Sequence, residues 1–270
     1  MKVLILDAYN LIHRARFASA RGPQGEHTMT YVFFRSLRPI IEKFSPDRAY
    51  FVLEGSPRAR LEMQPDYKGT RDRAHDEGFN RQKKEIINLL SEYFPMNVVY
   101  HPDFEADDTV ANLISHRHSE DDVTIVSSDT DFIQLLDNYP NVSLWNPIQK
   151  KYRQGVGVDY VRWKALRGDG ADNIIGFHGI GDKRAKTLIE SPVKLQAFLD
   201  SDPGNVTKFE HNVEMIKFHE WPDMKGMHES VGSPDWSALR QVFTNCRFFS
   251  ITKESSWLKF IKTFECLLES

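Results

Sequence analysis

The sequence predicts an α/β fold, a mainly parallel central sheet flanked by helices, with a smaller helical region after it. Three observations lead there. Short apolar, β-branched or aromatic runs alternate with longer stretches whose apolar residues recur at helical spacing. The texture changes after Gly168 to a glycine-rich turn followed by amphipathic helical patterns. At 270 residues, the chain is long enough for one sizeable core and a second, smaller unit.

The strands are expected at 2–6, 49–53, 98–100, 123–127 and 142–145. Helical patterns fall near 31–44, 81–94, 106–116 and 132–136, and another helix begins within 158–167. Residues 55–80 are rich in charge and broken by Pro57, Pro65, Gly69 and Gly78, so they form a long excursion from the sheet, a feature usually kept for function. Beyond Gly168 a helical hairpin is expected to about Glu190, then helices with no further strand. This divides the chain into an α/β unit at 1–167, with the excursion at about 55–84, and a helical unit at 168–270.

Composition excludes several classes. No apolar run approaches the roughly 20 residues that cross a bilayer, and the first residues lack the features of a signal peptide, so the chain is expected in the cytosol without a membrane partner. Cys246 and Cys266 are the only cysteines, too few for a disulfide framework or a Cys-based zinc site, and both are expected to be core filler. The histidines, His13, His27 and His75 among them, show no ligand spacing. The net charge of −3 is no bar to a polyanionic partner, because the charges are segregated. Between 103 and 137 Arg117 is the only Lys or Arg among ten acids, whereas the flanks carry Arg58, Arg60, Lys68, Arg71 and Arg73 on one side and Lys164, Arg167, Lys183 and Arg184 on the other. Two divalent cations bound to the acidic block would add +4 to −3 and leave +1.

The acids themselves recur at strand ends. Asp7 follows the first strand, Glu54 the second, Glu105, Asp107 and Asp108 the third, and Asp129 and Asp131 the fourth. In an open parallel sheet all of these lie along the carboxyl edge, where ligands bind. Any one alone reads as a helix cap or turn former. Recurrence after four strands does not, and seven converging carboxylates repel one another unless cations fill the cluster. Oxygen donors without cysteine suit Mg2+ or Mn2+. A second pair, Asp169 and Asp172, sits in a glycine-rich turn that leads into Gly179-Ile180-Gly181 and the basic start Asp182-Lys183-Arg184. That pattern fits a helix-hairpin-helix, whose backbone N–H groups face a phosphate, and equally fits an ordinary helix C-cap and turn.

In their order, these motifs resemble the 5′-nuclease (flap endonuclease, 5′-3′ exonuclease) family. The match is carried by Asp7 at a strand end, Tyr67-Lys68-Gly69-Thr70-Arg71, Phe104-Glu105-Ala106-Asp107-Asp108, Ile125-Val126-Ser127-Ser128-Asp129-Thr130-Asp131-Phe132, the turn from Gly168 to Gly176, and Gly179-Ile180-Gly181-Asp182-Lys183. It covers roughly residues 1–190 and is strongest toward phage-encoded stand-alone members such as the primer-removing phage ribonuclease H. The resemblance implies a PIN-like 5′-nuclease fold with a helical arch at about 55–84 and a helix-hairpin-helix at about 172–190. It implies hydrolysis of phosphodiesters near the 5′ end of flaps, nicks or RNA primers in replication or repair, using two Mg2+ ions that Mn2+ can replace. Asp7, Glu105, Asp107, Asp108, Asp129 and Asp131 would line the first metal region, and Asp169 and Asp172 the second. Glu54 departs from the family, which usually has Asp there, and is assigned to the metal site by position. Asp129, Asp131, Lys68 and Arg71 would be catalytic, the last two from one face of an arch helix over 66–81. Arg60, Tyr67, Lys68, Arg71, Gly179, Gly181, Lys183 and Arg184 would bind DNA, with Tyr67 and Phe79 stacking on bases.

The partners implied are DNA with a 5′ flap or nick and RNA–DNA primer duplexes. A replication polymerase or single-strand-binding protein is a further candidate, and the protein is expected to be a monomer. Two other classes remain open on sequence alone: a catalytically silent DNA-binding relative, which should have lost acids, and a PIN-type ribonuclease, which would lack the hairpin and the Asp169 pair.

Overall fold

The computed structural model describes residues 1–22, 25–69 and 76–268. A seven-stranded sheet organises it, in the order β6-β5-β4-β1-β2-β3-β9. Five of these, β1 (Lys2–Asp7), β2 (Arg48–Val52), β3 (Asn97–Tyr100), β4 (Asp122–Val126) and β5 (Val142–Asn146), are parallel and coincide with the expected strands. Beyond Lys2, β1 is buried throughout, as a central parallel strand covered on both faces must be. The register aligns the strand ends. Asp7 is paired with Val52, and Leu6 with Val126, so the residues that follow β1, β2 and β4 emerge at one edge.

Helices α1 (Ala8–Ser19), α2 (Thr28–Phe44), α3 (Arg58–Met63) and α4 (Glu77–Tyr93) come from the first half, with α5 (Ala106–Arg117) and α6 (Ile133–Asn138) after β3 and β4. The short β6 (Lys151–Tyr152) precedes α7 (Tyr160–Arg167) and the two-stranded β7 (Gly168–Asp169) and β8 (Ile174–Ile175). Helices α8 (Asp182–Ile189), α9 (Pro192–Leu199) and α10 (Pro203–Ile216) follow, then β9 (His228–Val231), α11 (Trp236–Asn245), α12 (Phe249–Thr252) and α13 (Glu254–Phe264). Capping explains several starts. Asp7 accepts from the Asn10 amide at 3.1 Å, Asp159 from that of Arg162 at 2.9 Å, and Glu105 and Asp108 form a reciprocal capping box on α5.

Three apolar clusters hold the elements. One face of the sheet packs against α1, α2 and α4, sealed from outside by α11–α13, with Phe34 stacked on Phe94 at 5.2 Å and tilted against Phe243 at 5.1 Å. The other face packs against α5 and α6 through Tyr50, Val110, Ile114 and Phe132. The third joins α7–α10 around Leu166, Phe177, Leu188 and Phe209. No helix among the described residues is long and apolar enough to cross a membrane.

Several expectations change. Helix α1 has no counterpart in the sequence reading. Strand β9 lies beyond Gly168, where none was expected; it pairs antiparallel with β3 and is exposed along its length, so it carries no buried-strand pattern. The helix expected over 66–81 is helical only from Glu77 on among its described residues. Residues 66–69 are a turn, with Lys68 at φ 54°, and α4 starts only at Glu77, capped by Asp76. Arg71 lies outside the described residues. The helix expected near 172 is also displaced: the two helices flanking the Gly-rich turn are α7 and α8, and the turn holds the β7–β8 pair. That pair brings Gly168 and Gly176 so close that a Cβ on Gly176 would stand 2.0 Å from the Arg167 carbonyl oxygen, which explains the glycine there. The division at 167/168 is not the division of packing. Helix α7 packs with α8–α10, whereas β9 and α11–α13 complete the α/β unit.

Candidate active site

Because the strand ends are aligned, the acids that follow them converge. Asp7, Glu54, Glu105, Asp107, Asp129, Asp131, Asp169 and Asp172 line one cleft of about 970 Å³, together with Lys68 and Lys164. Eight of the nine acids singled out from the sequence are thus brought together. Asp108 is not. It is 1% exposed, and its carboxylate is occupied by Arg60 and by the amide of His219 at 2.8 Å.

The carboxylates are held in place individually. The Ser127 hydroxyl donates to Asp7 at 2.6 Å, and Asp129 accepts from the Asp131 amide at 2.9 Å. Asn10 clips the loop after β4 through Ser128, donating to its hydroxyl at 2.6 Å and accepting from its amide at 3.1 Å. Glu54 accepts from the Ala106 amide at 3.2 Å, at the start of α5.

Two groups of acids differ in their counter-charges. In the first, burial pushes Asp107 well up, and Asp129, Asp7 and Glu54 add to the effect by like-charge repulsion. Burial likewise raises Asp7, lifts Glu54 to about 7 with a contribution from Glu105, and lifts Asp129 to about 6 with one from Asp131. In the second, Asp131, Asp169 and Asp172 offer oxygens within 4.8 Å of one another. Lys164 lies among them, bonded to Asp131 and, at 2.6 Å, to Asp169. Burial would raise Asp169, but Lys164 and the amides of Ala171 and Asp172 outweigh it and hold that carboxyl below its ordinary range. Lys68 joins the halves, bonded to Glu105 and 3.8 Å from Asp172.

Two residues expected to bind DNA are instead internal. Arg60 is 4% exposed and donates to Glu105, to both oxygens of Asp108, and to the carbonyls of Met215 and Lys217. Tyr67 is buried, its hydroxyl 3.1 Å from both Glu105 and Asp172. Phe79 is buried as well, stacked on His13 at 5.1 Å, so its ring is not free for a base. Lys183 and Arg184 are exposed at the start of α8, next to Gly179 at φ 71° and the N-cap Gly181.

Sequence reasoning missed Lys164 as a site residue, along with Tyr160, whose hydroxyl donates to Asp131 at 2.8 Å. They are four apart in α7 and so share a face, a signal available only once that helix is known to face the cleft. It also missed α1, which lines the cleft mouth with Tyr9, His13, Arg14, Arg16 and Phe17, the last 68% exposed.

The model of the 5′-3′ exonuclease family, N-terminal resolvase-like domain, matches residues 2–165. The chain belongs to the 5′-3′ exonuclease family. It is therefore a nuclease, a hydrolase of phosphodiesters, and its sheet is that of the family's PIN-like fold. Among similar proteins, a 5′-3′ exonuclease of Mycoplasmopsis pulmonis is 28% identical over 214 residues, covering 74% of this chain and 70% of that one. The DNA polymerase I of Treponema pallidum is 32% identical over 204 residues, 68% of this chain but only 20% of the polymerase. Across seven DNA polymerase I relatives the chain spans 20% to 27% of their length. Of solved structures, the T5 D15 protein co-crystallised with metal ions superposes with a TM-score of 0.65 at 21% identity, over 100% of this chain and 99% of that one. The catalytic core of Rad2 in complex with DNA substrate gives 0.54 at 20% identity, over 99% and 91%. These two show the shared fold.

Proposed function

We propose that this exonuclease-family protein is a structure-selective 5′-nuclease that cuts phosphodiesters near the 5′ end of flaps, nicks or RNA primers, with two Mg2+ ions in the acidic cleft. The observation that carries the proposal is the convergence of eight acids along one sheet edge, four of them, Asp7, Glu54, Asp107 and Asp129, in no ion pair among the described residues. Such a group, with carboxyls pushed up by burial and then by mutual repulsion, fits hard divalent ions, and its donors are all oxygen. Asp7, Glu54, Asp107 and Asp129 would hold one ion, and Asp131, Asp169 and Asp172 the other. Bound there, the ions would supply a hydroxide nucleophile and neutralise the leaving 3′ oxygen.

The chain's own residues do the rest. Lys68 and Lys164 stand where non-bridging phosphate oxygens carry charge, and can release a carboxylate to a metal as they take up the phosphate. Arg14, Arg16 and Lys83 at the cleft mouth attract the polyanion, and Phe17 offers an exposed ring for a base. The turn from Gly179 to Arg184 presents backbone amides and two cations to a duplex phosphate away from the cut, the role of a helix-hairpin-helix. Structures of the T5 D15 flap endonuclease and of Rad2 with DNA support this reading of the substrate.

The test is cleavage of a 5′-flap duplex and of an unstructured RNA, with and without Mg2+. Cleavage of the flap that depends on the metal is expected. Asp129→Asn should abolish it while leaving duplex binding intact or improved, because one negative charge near the phosphate is removed. Preference for the unstructured RNA would favour a simple ribonuclease, and normal turnover by Asp129→Asn would remove the metal mechanism.

A further inference from the structure

Outside the residues that line the cleft, three potential ligands from distant parts of the chain meet at the start of α2. His27 is the N-cap of α2, Glu85 lies midway along α4, and Cys246 is the C-cap of α11. The imidazole Nδ1, a Glu85 carboxylate oxygen and the Cys246 Sγ all lie within 4.8 Å of one another. His27 Nδ1 is 2.7 Å from Glu85 Oε1, and Cys246 Sγ is 4.0 Å from the same oxygen.

The pairing of His27 with Glu85 is close but misdirected. Nδ1 is shut off from solvent and makes no aligned hydrogen bond among the described residues, so nitrogen and oxygen sit side by side with no proton directed between them. Two ligands of one ion sit in this way. The other Glu85 oxygen is fixed by the Thr30 hydroxyl at 2.5 Å, the kind of outer contact that orients a ligating carboxylate.

We infer that His27, Glu85 and Cys246 form a zinc site that clips the C-terminal helices to α2 and α4. A nitrogen, an oxygen and a sulfur donor select Zn2+ over Mg2+, since thiolate is a poor ligand for the harder ion. Zinc–ligand distances of about 2.0–2.3 Å imply ligand separations of roughly 3.3–3.5 Å in a tetrahedron, so N and O must part and S approach by about half an ångström each. Water completes the fourth position. The cysteine count alone gave no hint of this, and spacing could not, because the ligands are 58 and 161 residues apart. The clip fastens α11, and with it the cover over the phenylalanine cluster, to the two helices beneath.

Co2+ is the probe, added to metal-free protein in excess Mg2+ so that the acidic cleft stays supplied. The cleft holds no thiol, hence thiolate-to-cobalt charge-transfer absorption reports this site alone. One equivalent of Co2+ should produce that absorption, Zn2+ should displace it, and Zn2+ should raise the melting temperature. Cys246→Ser should abolish the band and Cys266→Ser should keep it. His27→Gln and Glu85→Gln should each weaken affinity at least tenfold. A parent protein without the thiolate band overturns the site, whatever the variants do, and so does a band that survives Cys246→Ser.

Discussion

Replacing Arg60 by methionine tests whether this residue is an internal tie or a DNA contact. Its guanidinium makes five hydrogen bonds, at 2.7 Å to Glu105, 2.7 and 2.9 Å to Asp108, and 2.9 Å each to the carbonyls of Met215 and Lys217. Methionine fills most of the space and supplies none of the donors. Asp108, fully enclosed, would keep the amides of His219 and Glu105 but lose its ion-pair partner among the described residues, and two carbonyls would lose a donor. Removing one partner of a buried pair costs about 3–5 kcal/mol, because a charge is left stranded. Urea denaturation followed by tryptophan fluorescence should therefore show that loss for Arg60→Met, and Arg60→Lys should recover only part, keeping the charge without the fork. Adding Asp108→Leu to Arg60→Met should return part of the stability, since the stranded charge is gone. Under native conditions duplex affinity should hold. A loss below about 1 kcal/mol, or a fall in DNA affinity with stability intact, would refute the internal role.

Other outcomes follow from the same site. Glu54→Gln should raise the Mg2+ concentration for half-maximal cleavage and Glu54→Asp should raise it less, whereas an unshifted metal titration would reduce Glu54 to a cap on α5. Without metal, stability should fall as pH rises from 5 to 8: Glu54 and Asp129 titrate near 7 and 6 when folded but nearer 4 when unfolded, so the folded state loses the protons it alone retains across that window. Saturating Mg2+ should flatten the slope, and a melting temperature that rises with pH in metal-free buffer would contradict the repulsion described. Gly179→Val, forced to φ 71°, together with Gly181→Val should weaken duplex binding and spare the rate at saturating substrate; unchanged affinity with a collapsed rate would remove the hairpin from the DNA interface.

The parallel strands and their terminal acids were legible because both are local patterns, an apolar run and the residue that ends it. What stayed hidden depended on direction or distance. Asp107 and Asp108 are adjacent in sequence, yet one helical step of about 100° turns the first into the cleft and the second toward Arg60. Helix α1 buries only Ala8, Leu11, Ile12, Ala15 and Ser19 between cations and polar residues, too thin a stripe to announce a helix. Arg60 reads as one more cation in a basic flank, because its partners lie at 105–108 and 215–217. Tyr67 and Phe79 looked available to bases for the same reason: nothing local says that a ring in a polar excursion is folded inward.

The covering of one sheet face by α11–α13 has a practical meaning for dissecting the protein. The segment matched by the family model ends at residue 165, but Phe34 and Phe94 are sealed by Phe243, Phe260 and Phe264. A chain cut there would bare that aromatic surface to water and self-associate through the exposed rings. A truncation that keeps this face covered therefore has to reach Leu267, a limit set by packing about a hundred residues past the end of the matched segment.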